Sequence, residues 1–261
     1  MFKRELEYFF AALRFFTRLP VPDWVGHSEE QLDRATRYYP LVGMLVGVIG
    51  ASVTVLCNVV LPQSIAVILG MVSTLLVTGA FHEDGFADMV DGFGGGYGKE
   101  RILEIMKDSR VGSYGVIAIS LLLLIKYTAL RDIADMDGMY VLCPVLVAGH
   151  TLSRLASSSL IACMAYVRED ASAKSKPMGK AMHANELLVA ASTTLIPVVA
   201  LWFIVPQSAS LLWSLALVVV VTIMAGRYFQ RHIGGYTGDC LGAAQQLAEV
   251  AFYLGLLCRF S

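Results

Sequence analysis

Seven apolar stretches, near residues 41–61, 64–81, 114–130, 139–167, 187–205, 209–226 and 241–258, dominate the chain. Crossing roughly 30 Å of hydrocarbon takes about 17 to 25 such residues, so each stretch is long enough to span a bilayer. The runs are continuous and show no period-2 alternation, which argues against strands. In hydrocarbon every backbone N–H and C=O must be bonded, and a helix does this within its own segment. The expected fold is therefore all-α: a polytopic integral membrane helix bundle of about seven transmembrane helices. Charged residues make up only 16% of the chain, against about 25% in a soluble domain. With a net charge of −1 and no basic tail, the expected partner is the lipid bilayer and not nucleic acid.

The first 20 residues follow a different pattern. Phe2, Leu6, Phe9, Leu13 and Phe16 recur at helical spacing between charges, which predicts an amphipathic helix over 1–20 lying in the membrane interface and ended by "LPVP". Charges interrupt its apolar run and no small-residue cleavage site follows, so it does not read as a signal peptide. The expected organisation is one membrane-embedded domain over 1–261, with the surface helix at 1–20 and the bundle at 41–258. Gly43 and Gly47 have the small-xxx-small spacing that suits close helix packing. The five cysteines show no CxxC or metal-ligand spacing and read as small apolar residues of helices. Two cations, Lys126 and Arg154, fall inside spans, and Gln245, Gln246 and Glu249 interrupt the seventh.

Basic residues predict the orientation. With a cytoplasmic N-terminus and seven alternating spans, sixteen lysines and arginines fall on inside segments and two, Arg131 and Arg259, outside. This is a strong positive-inside bias. It places the segments after spans two, four and six on one cytoplasmic face, where residues distant in sequence can converge.

The chemistry concentrates in "FHEDGFADMVDGFGGGYG", Phe81–Gly98, at the end of the second span. On a helix Asp84, Asp88 and Asp91 would share an arc of roughly 60°, and three carboxylates that close repel unless a cation sits among them. Hard oxygen donors suit Mg²⁺, which takes one or two carboxylates and completes its shell with water and substrate phosphates. Acids at a membrane edge are usually functional, so the three are candidate catalytic residues and metal ligands. Glu83 points elsewhere on the helix and is expected to be solvated. His82 lies roughly opposite the aspartates, as a structural histidine or a general base. The glycines that follow, Gly94 and Gly95 among them, could form an anion-binding nest or simply stop the helix. Lys107 and Arg110 in "EIMKDSRVGSYG" could hold phosphate, or be the ordinary basic fringe of an inside loop. Arg154 needs a counter-charge: the aspartates, Glu249 or a substrate phosphate. In "GGYTGDCLGA", Asp239 or Thr237 could cap the last span, and Asp239 could equally be a carboxylate of the same site. Pattern alone thus supports a membrane Mg²⁺ site for a phosphorylated substrate.

The segments "LRFFTRLPVP", "YYPLVGMLVG", "FHEDGFADMVDGFGGG", "RILEIMKDSRVGSYG", "SRLASSS" and "GGYTGDCLGA", in this order, resemble the adenosylcobinamide-GDP ribazoletransferase (cobalamin synthase) family across nearly the whole chain. The resemblance reaches Gly179-Lys180 in the 168–186 loop, which adds Lys180 to the phosphate-binding candidates. It implies an enzyme of the prokaryotic cytoplasmic (inner) membrane that requires Mg²⁺. The implied reaction joins α-ribazole, or its 5′-phosphate, to adenosylcobinamide-GDP in vitamin B12 biosynthesis and releases GMP. Assembly into a homo-oligomer stays open. Two rivals share some features. A CDP-alcohol phosphotransferase also carries aspartates on membrane helices, but its DGxxAR opening is absent, since Phe-Ala-Asp follows Asp84-Gly85. An ion-coupled transporter would place its acids near the bilayer midplane between repeated halves.

Overall fold

The computed structural model describes residues 2–26, 28–167, 182–205 and 208–258, and every regular element among them is a helix. Lys180 lies outside the described residues. The amphipathic segment forms α1 (Phe2–Phe16), which buries Ala11, Ala12, Leu13 and Phe16 against α2 (Glu29–Ala35) and α3 (Tyr39–Asn58). Ser28 caps α2 by accepting from the Gln31 N–H at 3.2 Å. A 3-10 turn, Thr36–Tyr38, runs α2 almost directly into α3.

The remaining helices are α4 (Gln63–Thr78), α5 (Phe81–Gly95), α6 (Lys99–Ile105), α7 (Ser113–Asp137), α8 (Met139–Cys163), α9 (Ala184–Trp202), α10 (Ser208–Ile233) and α11 (Gly238–Leu257). Among the described residues six helices are long and apolar enough to cross a membrane, and a seventh span exists only if α4 and α5 are taken together across an 86° bend. The chain is a multi-pass membrane protein, and its second span departs from expectation. The apolar run over 64–81 stops being helical at Thr78 because Gly79 (φ 67°) and Ala80 (φ 56°) are left-handed. Both their N–H groups turn back to the Leu75 carbonyl, which closes the helix. At 1.5 Å per residue α4 is only about 24 Å long. The acid-bearing segment is therefore a separate helix, not the tail of a straight span.

Exposed apolar side chains such as Leu76 on α4, Ile196 on α9 and Met224 on α10 face outward, as lipid requires. By contrast, α11 is the inner helix, packed by α5, α7, α8 and α10. This accounts for its polar composition: Gln245, Gln246 and Glu249 are each 1% exposed and bond to neighbouring helices instead of meeting lipid.

Gly43 and Gly47 bring α3 onto α8. A Cβ on Gly43 would run into the His150 carbonyl and Arg154 Cδ, and one on Gly47 would lie 2.7 Å from Val147 Cα. Gly43→Ala is expected to destabilise by about 1–3 kcal/mol, the usual cost of overpacking. Thermal unfolding in detergent measures it, and an unchanged midpoint would mean that the two backbones part without penalty.

Short turns after α3 and α7 make antiparallel hairpins, and the starts of α3, α7, α9 and α11 share one end of the bundle with the ends of α4, α8 and α10. That end is tied together. The Val167 N–H donates to the Tyr236 carbonyl (3.0 Å) and the Tyr236 N–H to the Ala165 carbonyl (2.9 Å), clipping the chain after α8 to the turn before α11. Burial raises the Tyr236 phenol well above its ordinary pKa. Glu186 accepts from the His183 N–H (2.9 Å) at the start of α9 and pairs with Arg34 of α2 (2.5 Å).

Candidate active site at the acidic end of the bundle

The 86° bend lays α5 across the shared end of the bundle, against α11 and α7. Its approach to α11 is backbone to backbone. A Cβ on Gly85 would sit 3.0 Å from Asp239 Cα, and one on Gly242 would sit 3.0 Å from the His82 carbonyl. A larger residue at either position would press the two backbones apart. The close approach sets Asp239, in the first turn of α11, beside Gly85, which follows Asp84 directly and precedes Asp88 by three residues. Thr237, not Asp239, is the N-cap of α11, accepting from the Cys240 N–H at 3.3 Å. The capping role open to either residue is thus taken, and Asp239 lies half-buried in the first turn of the helix.

The three aspartates of α5 divide by burial. Asp84 is exposed and Asp88 half-buried, whereas Asp91 is buried. Both Asp91 oxygens face the start of α7: Oδ2 accepts from the Gly112 N–H (2.6 Å) and Oδ1 from the Gly115 N–H (2.9 Å). An anionic acceptor at a helix N-terminus satisfies two unpaired amides and complements the helix dipole. The three aspartates expected to be equivalent from spacing therefore differ: Asp84 and Asp88 lie one turn apart toward the surface, and Asp91, which lines the adjoining cleft, also holds α7. Among the described residues no three His, Cys, Asp or Glu side chains form a ready metal cage. The donors that are present fit Mg²⁺ in its usual mode, with one or two carboxylates and the remaining positions left to water and substrate oxygens.

Other expected site residues separate. His82 is buried, its ring stacked on Phe16 of α1 at 5.4 Å and 14°, so it faces away from the exposed acids. Gly94 and Gly95 are the last residues of α5. Their N–H groups point back along the helix, so the nest does not form there, because a helix C-terminus presents carbonyls. The glycine run serves packing instead: a Cβ on Gly96 would lie 2.9 Å from Ile102 Cα of α6. Gly95 and Arg110 do line one cleft of about 520 Å³ with Asp91, Arg101, Asp108 and Tyr114. The Arg110 fork is engaged by Asp108, Nε to Oδ1 at 3.0 Å and Nη2 to Oδ2 at 2.6 Å. These bonds hold the Asp108 carboxyl down at about 2. Lys107 is exposed at the end of α6.

Arg154 is 2% exposed and lies in the bundle interior, not in the cleft. Its Nη1 donates to the His150 carbonyl at 2.8 Å. Through His150, whose Nδ1 lies 3.4 Å from Arg154 Nη1 and 3.5 Å from Glu249 Oε2, it joins a buried polar assembly around Glu249, one of the counter-charges expected for it. Glu83, expected to be solvated, accepts from Gln246 Nε2 through Oε1 at 2.7 Å. Lys126 Nζ donates to Gln246 Oε1 (2.7 Å) and pairs with Glu249 Oε1 (3.1 Å). Gln245 and Tyr253 also donate to Glu249, at 2.9 and 3.1 Å. Removing one partner of such a buried pair typically costs about 3–5 kcal/mol, because the other charge is left bare. A signal was present: Gln245, Glu249 and Tyr253 recur every four residues, a polar stripe inside an apolar run.

With this geometry established, the comparisons with known proteins decide the family. A family model described as cobalamin-5-phosphate synthase matches residues 8–257. The chain belongs to this family. It is 49% identical to the adenosylcobinamide-GDP ribazoletransferase of Shewanella amazonensis, over 100% of this chain and 98% of that one. It is 48% identical to the enzyme of the same name from Shewanella frigidimarina, over 97% and 95%. No solved structure matches the chain. Membership of the cobalamin-5-phosphate synthase family disfavours both the CDP-alcohol phosphotransferase and the transporter.

Proposed function

We infer that this chain transfers α-ribazole, or its 5′-phosphate, to adenosylcobinamide-GDP and releases GMP, and that the transfer takes place on the acidic face of α5. The observation that carries the placement is the contact of Gly85 with Asp239, which joins the two acidic motifs at one end of the bundle. In the reaction a ribose hydroxyl oxygen forms a bond to the cobinamide-linked phosphorus. The bond from that phosphorus to GMP breaks, GMP leaves with the electron pair, and the hydroxyl proton passes to a base. Asp84 and Asp88 would hold Mg²⁺. When bound, that ion polarises the phosphoryl oxygens and offsets the charge developing on the leaving GMP. Asp239, whose Cα lies beside Gly85, would accept the hydroxyl proton or complete the cation's surroundings. Arg101 and Arg110 line the adjoining cleft, where they pair with Glu104 and Asp108, and would exchange those partners to grip a pyrophosphate. Purified protein should release GMP from adenosylcobinamide-GDP only when α-ribazole is present. Release without it, or none with it, would overturn the assignment.

The same reading puts the acidic end in the cytoplasm of a prokaryotic inner membrane, supported by the excess of lysine and arginine on that side. Tyr97, 96% exposed in the loop after α5, is the position to probe. In a cysteine-free background Tyr97→Cys is expected to resist an impermeant thiol reagent in sealed cells and to react after permeabilisation. Rapid labelling in sealed cells would reverse the orientation.

A further inference from the structure

The helix that presents the acids is poorly fixed by its own backbone. It follows α4 through two left-handed residues, Gly79 and Ala80, with no side-chain cap at its start. Its face on α11 is marked by Gly85 and Gly242, where the two backbones approach closely. Yet Asp84 and Asp88 can share one cation only at one rotational setting of α5. Two carboxylates of α5 reach across to other helices. Asp91 binds the start of α7, as described above. Glu83, about 100° round the helix from Asp84, turns inward to Gln246.

We propose that Glu83, Gln246 and Lys126 form a buried strut that sets the rotation of α5 and so aims Asp84 and Asp88 at their cation. The strut continues from Gln246 Oε1 to Lys126 Nζ and on to Glu249. Lys126 lies thirteen residues into α7, roughly 20 Å from its start, so the anchor is rooted deep in the bundle. An ion pair there is costly to bury, and one that only filled space could be replaced by apolar side chains. Its link to the residue preceding Asp84 gives it a use. Glu83, Gln246 and Lys126 are positioning residues: they touch neither substrate nor cation and act through α5. The proposal rests on the acidic face of α5 being the reacting site.

The test uses Glu83→Ala, Glu83→Gln, Gln246→Glu and the swap of Glu83→Gln with Gln246→Glu, purified in detergent as the full chain. Each is measured for thermal unfolding, for the Mg²⁺ concentration that half-saturates GMP release, and for Mn²⁺ binding by electron paramagnetic resonance. Glu83→Ala is expected to raise half-saturating Mg²⁺ and weaken Mn²⁺ binding by about 10- to 100-fold, the usual effect of losing an outer support of a metal site. The KM for α-ribazole should stay unchanged. Glu83→Gln keeps an acceptor oxygen and should stay near the parent. Gln246→Glu sets two carboxylates face to face and should lose binding, and the swap should recover it. Wild-type cation affinity in Glu83→Ala, with or without a lower unfolding midpoint, would overturn the strut. So would a Glu83→Gln as impaired as Glu83→Ala. If Glu83→Ala does not fold, the swap decides, and failure to recover Mn²⁺ binding there counts against the proposal. Failure of the underlying site reading shows separately, as wild-type Mn²⁺ binding by Asp88→Asn.

Discussion

Asp88→Asn is expected to abolish GMP release while leaving membrane insertion and thermal stability unchanged. Asn keeps the shape of the side chain and loses the charge that would help to hold Mg²⁺. Asp88 is half-buried on the face of α5 that also carries the exposed Asp84 one turn away. With no preformed cage of three His, Cys, Asp or Glu among the described residues, the loss of one of the two α5 carboxylates removes half of their charge on the cation. Polarisation of a phosphoryl oxygen by a bound cation contributes several kcal/mol to transition-state stabilisation. At 1.36 kcal/mol per factor of ten, a loss of about 4 kcal/mol lowers the rate roughly a thousandfold. The measurement is GMP release at limiting Mg²⁺, normalised to folded protein in the membrane. Parent-like turnover under those conditions would remove Asp88 from the ligand set. Asp91→Asn makes an instructive contrast. It weakens the tie to Gly112 and Gly115, so its main effect is expected on unfolding.

The second large effect is expected at Asp239. Asp239→Asn should lower turnover by about 100-fold or more, the lower range of what a positioned proton acceptor supplies, with little change in stability. An acid in the first turn of a helix contributes only about 0.3–1 kcal/mol through the helix dipole, and the cap is Thr237. The comparison that decides is Asp239→Asn with Asp239→Ala, both assayed for GMP release at matched protein levels. Two equally inactive, well-folded variants support a role in the site. An active Asn variant beside an unfolded Ala variant would make Asp239 a structural residue.

Much of the architecture is written in local pattern. The apolar runs carry the helix count because hydrocarbon forces each segment to satisfy its own backbone. The predicted starts at 139 and 209 match those of Met139–Cys163 and Ser208–Ile233 to within one residue, whereas the predicted ends at 167 and 226 miss by four and seven residues. The Gly43 and Gly47 spacing anticipates the seam between α3 and α8 because a missing side chain is a local property with a direct steric result. The motifs around Asp84 and Asp239 are likewise readable one residue at a time, and so is the family they carry.

What tertiary structure decided is how identical side chains come to differ. Asp84, Asp88 and Asp91 are equivalent by spacing, but docking of α7 buries only the last and takes up both its oxygens. Glu83 looks solvated from its place in the sequence and is half-buried because the 86° bend turns it toward Gln246. The polar residues of α11 look like faults in a span until the helix is seen to be the centre of the bundle. Hydropathy and periodicity report one helix against an average solvent. Burial, pairing and the meeting of Asp239 with α5 depend on which helix stands opposite, and only the assembled bundle sets that.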